Sequence, residues 1–121
     1  YYLADQGLLT FLHGYKDTYI NGILENIVFI ELLRRGYKVF IGKIGDMEID
    51  FAAEKNGEKL YVQVAYLIGS EETKERELRP LKSLLALGDN FPKLILTMDD
   101  LPPSNENGIV RKNIREWILE G

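Results

Sequence analysis

Two carboxylates and one amide stand where a divalent cation could be held: Glu48-Ile49-Asp50 on one β-rich run and Gln63 on the next. Between the runs lies Asn56-Gly57, the strongest short-range signal for a two-residue hairpin. Pairing about that turn sets Asp50 opposite Gln63 and Glu48 opposite Ala65. Side chains alternate along a strand, so Glu48, Asp50, Gln63 and Ala65 are expected on one face and Ile49, Phe51, Val62 and Val64 on the other. Mg²⁺ or Mn²⁺ takes oxygen ligands of this kind, and a bound cation relieves carboxylates that would otherwise repel. The same pattern also fits the solvent-facing side of an ordinary amphipathic hairpin.

A helix must bring any further ligand to this patch. Between Thr18 and Arg35 the apolar residues Ile20, Ile23, Leu24, Ile27, Ile30 and Leu33 recur at three- and four-residue steps, and Gly36 follows two arginines as a stop. Two glutamates interrupt the segment. Glu31 falls inside the apolar stripe, where a carboxylate is costly unless paired or metal-bound, and Arg34 or Arg35 offers the pairing. Glu25 lies at the margin of the stripe, better placed to approach a sheet from its rim.

The other elements follow from periodicity and punctuation. Tyr37–Ile41, Glu48–Glu54 and Lys59–Leu67 read as strands. Ser70 with Glu71 and Glu72 reads as a helix start, with a kink or restart expected at Pro80 before the helix runs on through Leu87. Lys93–Met98 reads as a buried, parallel-type strand, Ile109–Ile114 as an edge strand and Arg115–Leu119 as a closing turn of helix. Leu101–Gly108 is read as a loop, too short to separate independent domains. The order α-β-β-β-α-β points to one α/β domain over residues 1–121, a mixed sheet of about four or five strands flanked by helices.

Composition narrows the chemistry. The chain has 121 residues, enough for one core burying roughly two-thirds of the unfolded surface. Cysteine is absent and histidine occurs once, as His13, so cysteine-ligated zinc and histidine clusters are excluded and any metal must sit on oxygen. No run approaches the length of a membrane span, and nothing resembles an export leader, so cytoplasmic residence is expected. A net charge of −4 counts against broad nucleic-acid binding, although Arg34, Arg35, Lys38 and Lys43 form a local basic strip. Tyr1 at the start suggests a piece of a larger protein.

Leu24-Glu25-Asn26, Glu31-Leu32-Leu33-Arg34-Arg35-Gly36-Tyr37, Glu48-Ile49-Asp50-Phe51 and Tyr61-Val62-Gln63-Val64-Ala65-Tyr66 together resemble the C-terminal domain that closes many prokaryotic AAA+ ATPases. The opening Tyr1-Tyr2-Leu3-Ala4-Asp5-Gln6-Gly7-Leu8, within an opening segment 1–13, is similar to the usual start of that domain, and Glu71–Pro80 with Leu96–Asp100 resembles its later half. The resemblance implies a restriction-endonuclease-like, PD-(D/E)xK nuclease-like core. It also implies a parent chain with an ATPase module and a winged-helix segment as partners. In active members a helix glutamate, a strand aspartate and a Glu/Gln-x-Lys triplet surround one or two Mg²⁺ ions. Carried over, Glu25 matches the helix glutamate, Asp50 the aspartate and Gln63 the first member of the triplet.

The lysine of that triplet is replaced by Ala65, so the group that would help activate water and steady the phosphorane is missing. Three readings follow: a catalytically degenerate module recognising nucleic acid or protein, a Mg²⁺-dependent nuclease with Lys43 or Lys59 as a relocated cation, and a structural lid of the ATPase. No Gly-x-x-x-x-Gly-Lys-Ser/Thr loop is present, so ATP binding by that route is not expected. Trp117 reads as a core plug, His13 as a loop residue and the charged run Glu71–Arg79 as a solvated helix face.

Overall fold

The structure, a computed structural model, describes residues 17–68, 71–100 and 102–121. The opening segment 1–13 with His13, and the cap expected at Ser70, lie outside the described residues. Three helices, α1 (Asp17–Arg34), α2 (Glu71–Ala86) and α3 (Ile114–Glu120), accompany six strands: β1 (Lys38–Ile44), β2 (Met47–Lys55), β3 (Glu58–Ala65), β4 (Lys93–Thr97), β5 (Ser104–Glu106) and β6 (Ile109–Asn113). They form one mixed sheet in the order β1-β2-β3-β4-β6-β5. β1, β2 and β3 pair antiparallel, β3, β4 and β6 pair parallel, and β5 returns antiparallel on β6.

Each face of the sheet buries a different helix set, which accounts for the unbroken apolar run of β4. α1 and α3 cover one face, where Leu24, Val28 and Leu32 meet Val62, Val64, Leu96, Ile114 and Trp117. On the other face Leu78, Leu81 and Leu84 of α2 meet Ile49, Tyr61, Ala65 and Ile95. Among the described residues no helix is long and apolar enough to cross a membrane.

The Asn56-Gly57 turn forms as its composition requires. Both central residues take left-handed φ values, 54° and 82°, and the register Phe51↔Val62 and Ala52↔Tyr61 follows from it. A second hairpin of the same kind is a departure from the sequence expectation. Asn107 and Gly108, at φ 55° and 89°, join β5 to β6 through the pairs Glu106↔Ile109 and Asn105↔Val110. β6 is thus interior rather than an edge strand, and the expected loop contains the short edge strand β5. Nor does α2 break at Pro80, which is buried within an uninterrupted helix alongside Leu78, Leu81 and Leu84.

Glu31 lies in the apolar stripe of α1 and is 5% exposed. Its carboxylate accepts from Arg34 Nε (2.9 Å) and Nη2 (2.7 Å) and from Arg35 Nε (2.7 Å). The two guanidiniums continue to α3: Arg34 donates to the Gly121 carbonyl, and Arg35 donates to the Trp117 carbonyl while stacking 4.2 Å from the Trp117 ring centroid. The buried charge thereby joins the end of α1 to α3, and two arginines of the expected basic strip are committed to this clamp. The arginine hydrogen bonds hold the Glu31 carboxyl below its ordinary range. Its stabilisation is therefore complete above the ordinary glutamate pKa and is lost as pH falls through the lowered folded value. Glu31→Ala should cost about 2 kcal/mol at neutral pH by chemical denaturation, discounted for the partly exposed arginines, and the deficit should shrink in acid.

Candidate functional site

The regular β2–β3 ladder ends at Phe51↔Val62. One residue further, side chains take over the pairing. The Asp50 main-chain N–H donates to Gln63 Oε1 at 2.7 Å, and Asp50 Oδ2 accepts the Val64 N–H at 2.8 Å. Asp50 and Gln63 are thus brought together across the strands, by a fork in the sheet rather than by a continuing ladder.

A bulge produces that geometry. Between the pairs Phe40↔Ala52 and Gly42↔Ile49, β1 advances by Ile41 alone, whereas β2 passes both Asp50 and Phe51. The extra residue reverses the alternation beyond it. Ile49 consequently packs under α2 with Tyr61 and Ala65, while Phe51 packs on the α1 side with Val62 and Val64. The expected common face for Ile49 and Phe51 is corrected accordingly. Gly42 accommodates the bulge, since a Cβ there would approach the Ile49 Cβ to 3.1 Å.

The two central helices bring one carboxylate each. Glu25, half-buried on α1, has its carboxyl raised by burial and then by repulsion from Asp50. Asp50 is raised by burial and by Glu48, against the lowering effect of the Val64 N–H. Glu77 of α2 is raised by burial and by the charges of Asp50 and Glu25, with Arg76 opposing. The charge of Asp50 thus disfavours ionisation of both Glu25 and Glu77. Sequence reasoning missed Glu77, reading its run as a solvated face. Its spacing to Leu81 and Leu84 puts it on the apolar side of α2, and that was the available signal.

Gln63 is 4% exposed and its amide has a defined orientation. With the oxygen on the Asp50 N–H, the nitrogen points to α2 and donates to the Glu77 carbonyl at 3.2 Å and to Glu77 Oε2 at 3.5 Å. Among the described residues no three His, Cys, Asp or Glu side chains are grouped so as to hold a metal ion. Of the set Glu25, Asp50 and Gln63, Asp50 Oδ2 and Gln63 Oε1 each accept a main-chain N–H.

Ala65, at the position of the absent lysine, is 3% exposed beneath α2. Lys59 is four strand positions from Gln63, about 13 Å, and ion-pairs with Glu54 at 3.8 Å. Lys43 is exposed on β1 opposite Glu48. The buried Lys93 donates to the carbonyls of Asp89 and Phe91 and to Asp89 Oδ1, closing the α2–β4 connection.

No family model matches this sequence. An uncharacterised protein of Haemophilus influenzae is 42% identical over 120 residues, a match covering 99% of this chain and 28% of that protein's length. The chain thus spans little more than a quarter of the relative it matches.

Raised folded pKa values at Glu25, Asp50 and Glu77 mean that ionisation costs stability above those values, and that the cost is relieved as pH falls through them towards the ordinary carboxylate range. Asp50→Asn keeps an acceptor for Val64 and removes the central charge. The variant should be more stable than the native chain at pH 7 in metal-free buffer by about 1 kcal/mol, the two converging in mild acid, as read from thermal melts.

Proposed function

We propose that this chain is a PD-(D/E)xK nuclease-like domain of a longer, cytoplasmic AAA+ ATPase, that it has no nuclease turnover of its own, and that it serves protein recognition within or beyond that parent. The observation that carries this reading is the state of the fork. Two of the three motif residues are bound to main chain, and the lysine position is a buried alanine under α2. Phosphoryl transfer needs charge stabilisation at the reacting phosphate, and loss of one preorganised group of that kind typically costs about 10²–10³ in rate. Around Asp50 the carboxylates Glu25, Glu48 and Glu77 add negative charge, which repels phosphate.

The resemblance set out above supports the parentage, and the length of the Haemophilus influenzae relative beyond the matched region agrees with it. Protein is favoured over nucleic acid as the partner by charge and by exposed apolar surface. Net charge is −4, Arg34 and Arg35 are held by Glu31, and the exposed apolar side chains include Ile30 and Leu33 on α1 and Phe40 and Ile41 on the β1 edge.

Incubation of the chain with single- and double-stranded DNA and RNA in Mg²⁺ and in Mn²⁺ should give no cleavage above an Asp50→Ala control. Fluorescence anisotropy at physiological salt should show no retention of the same nucleic acids. Cleavage that disappears with Asp50→Ala would overturn the proposal.

A further inference from the structure

Position 63 carries a neutral amide where a carboxylate would hold a cation more tightly, and the surroundings of Gln63 account for the choice. The side chain is nine-tenths buried or more, so each of its polar atoms needs a partner. Its oxygen faces a donor, the Asp50 N–H, and its nitrogen faces only acceptors, the carbonyl and carboxylate of Glu77. A glutamate at 63 would keep the bond to Asp50 but would set its second oxygen against both Glu77 oxygens. That contact would join two like charges at about hydrogen-bond distance in a buried site.

We propose that Gln63 and Glu77 are a matched positioning pair, in which the Glu77 carbonyl, with its carboxylate behind it, fixes the orientation of the buried amide, so that the amide oxygen holds the Asp50 main chain at the strand fork. The negative charge that a Glu-x-Lys triplet would place on β3 thus resides on α2, and the packing of α2 is coupled to the placement of Asp50. The pair rests on the reading above only in taking Asp50 as the principal carboxylate of the site.

The pair makes a prediction that separate contributions do not. Gln63→Glu should lower the folding equilibrium constant at least about tenfold more when Glu77 is present than when it is replaced by glutamine, a coupling of about 1.4 kcal/mol. In the exchanged variant Gln63→Glu/Glu77→Gln, the new glutamine can donate to the new glutamate, whose other oxygen still accepts from Asp50. The Asp50 amide proton resonance should therefore be displaced in Gln63→Glu and return towards its native position in the exchanged variant. A change that only disturbed packing would not be reversed in this way.

If Gln63→Glu alone yields no folded chain, recovery of folded protein in the exchanged variant is the same result. Equal effects of Gln63→Glu in both backgrounds, or an exchanged variant no better folded than the single one, would overturn the pair. These measurements are made without nucleic acid or metal. A failed exchange therefore removes the pairing while leaving the cleavage result to stand or fall by itself.

Discussion

A buried main-chain amide where two strands diverge must find an acceptor, and at the β2–β3 fork the acceptors are side chains. The Gln63 amide oxygen takes the Asp50 N–H, and the Asp50 carboxylate takes the Val64 N–H. These two bonds allow the ladder to end at Phe51↔Val62 without leaving orphaned donors, and so allow the β2 bulge that turns Ile49 under α2 while Phe51 stays under α1. The two-sided core depends on that reversal, because each face of β2 supplies an apolar residue to a different helix.

The same bonds determine what the site can do. Burial, with the charge of a neighbouring carboxylate, raises the carboxyls of Glu25, Asp50 and Glu77, a pattern common at functional sites. Asp50 Oδ2 and Gln63 Oε1 meanwhile serve the backbone, Lys43 lies opposite Glu48 on β1, and Lys59 lies near the hairpin tip. Glu31 shows the same use of a buried charge at the other end of α1, where its carboxylate organises two arginines into a clamp on α3.

Elements with strong local signals were legible in the sequence: the α1 periodicity, the Asn56-Gly57 hairpin and the buried β4 run. Their agreement with the mixed α/β sheet follows from local chemistry. The turn fixes the register as far as Phe51↔Val62, which leaves Asp50 and Gln63 as the next residues on the two strands. The bulge was not legible, because it answers to helices on opposite faces and no residue in β2 announces it. Gly42 carries a trace of it, visible only once Ile49 is known to lie opposite. β5 was hidden because Ser104, Asn105 and Glu106 are exposed and show no apolar alternation, although Asn107-Gly108 was the signal already used once. Glu77 was overlooked among its charged neighbours on α2.

The claim on which the rest turns is that the side chains of Gln63 and Asp50 close the fork by accepting main-chain N–H groups. Site-resolved hydrogen exchange at the Asp50 and Val64 amides, with and without millimolar Mg²⁺, tests it most directly. The expected result is protection comparable to the Val62 ladder amide at both positions, unchanged by Mg²⁺. Rapid exchange at either amide, or protection of Val64 that collapses as Mg²⁺ takes the Asp50 carboxylate, would contradict it.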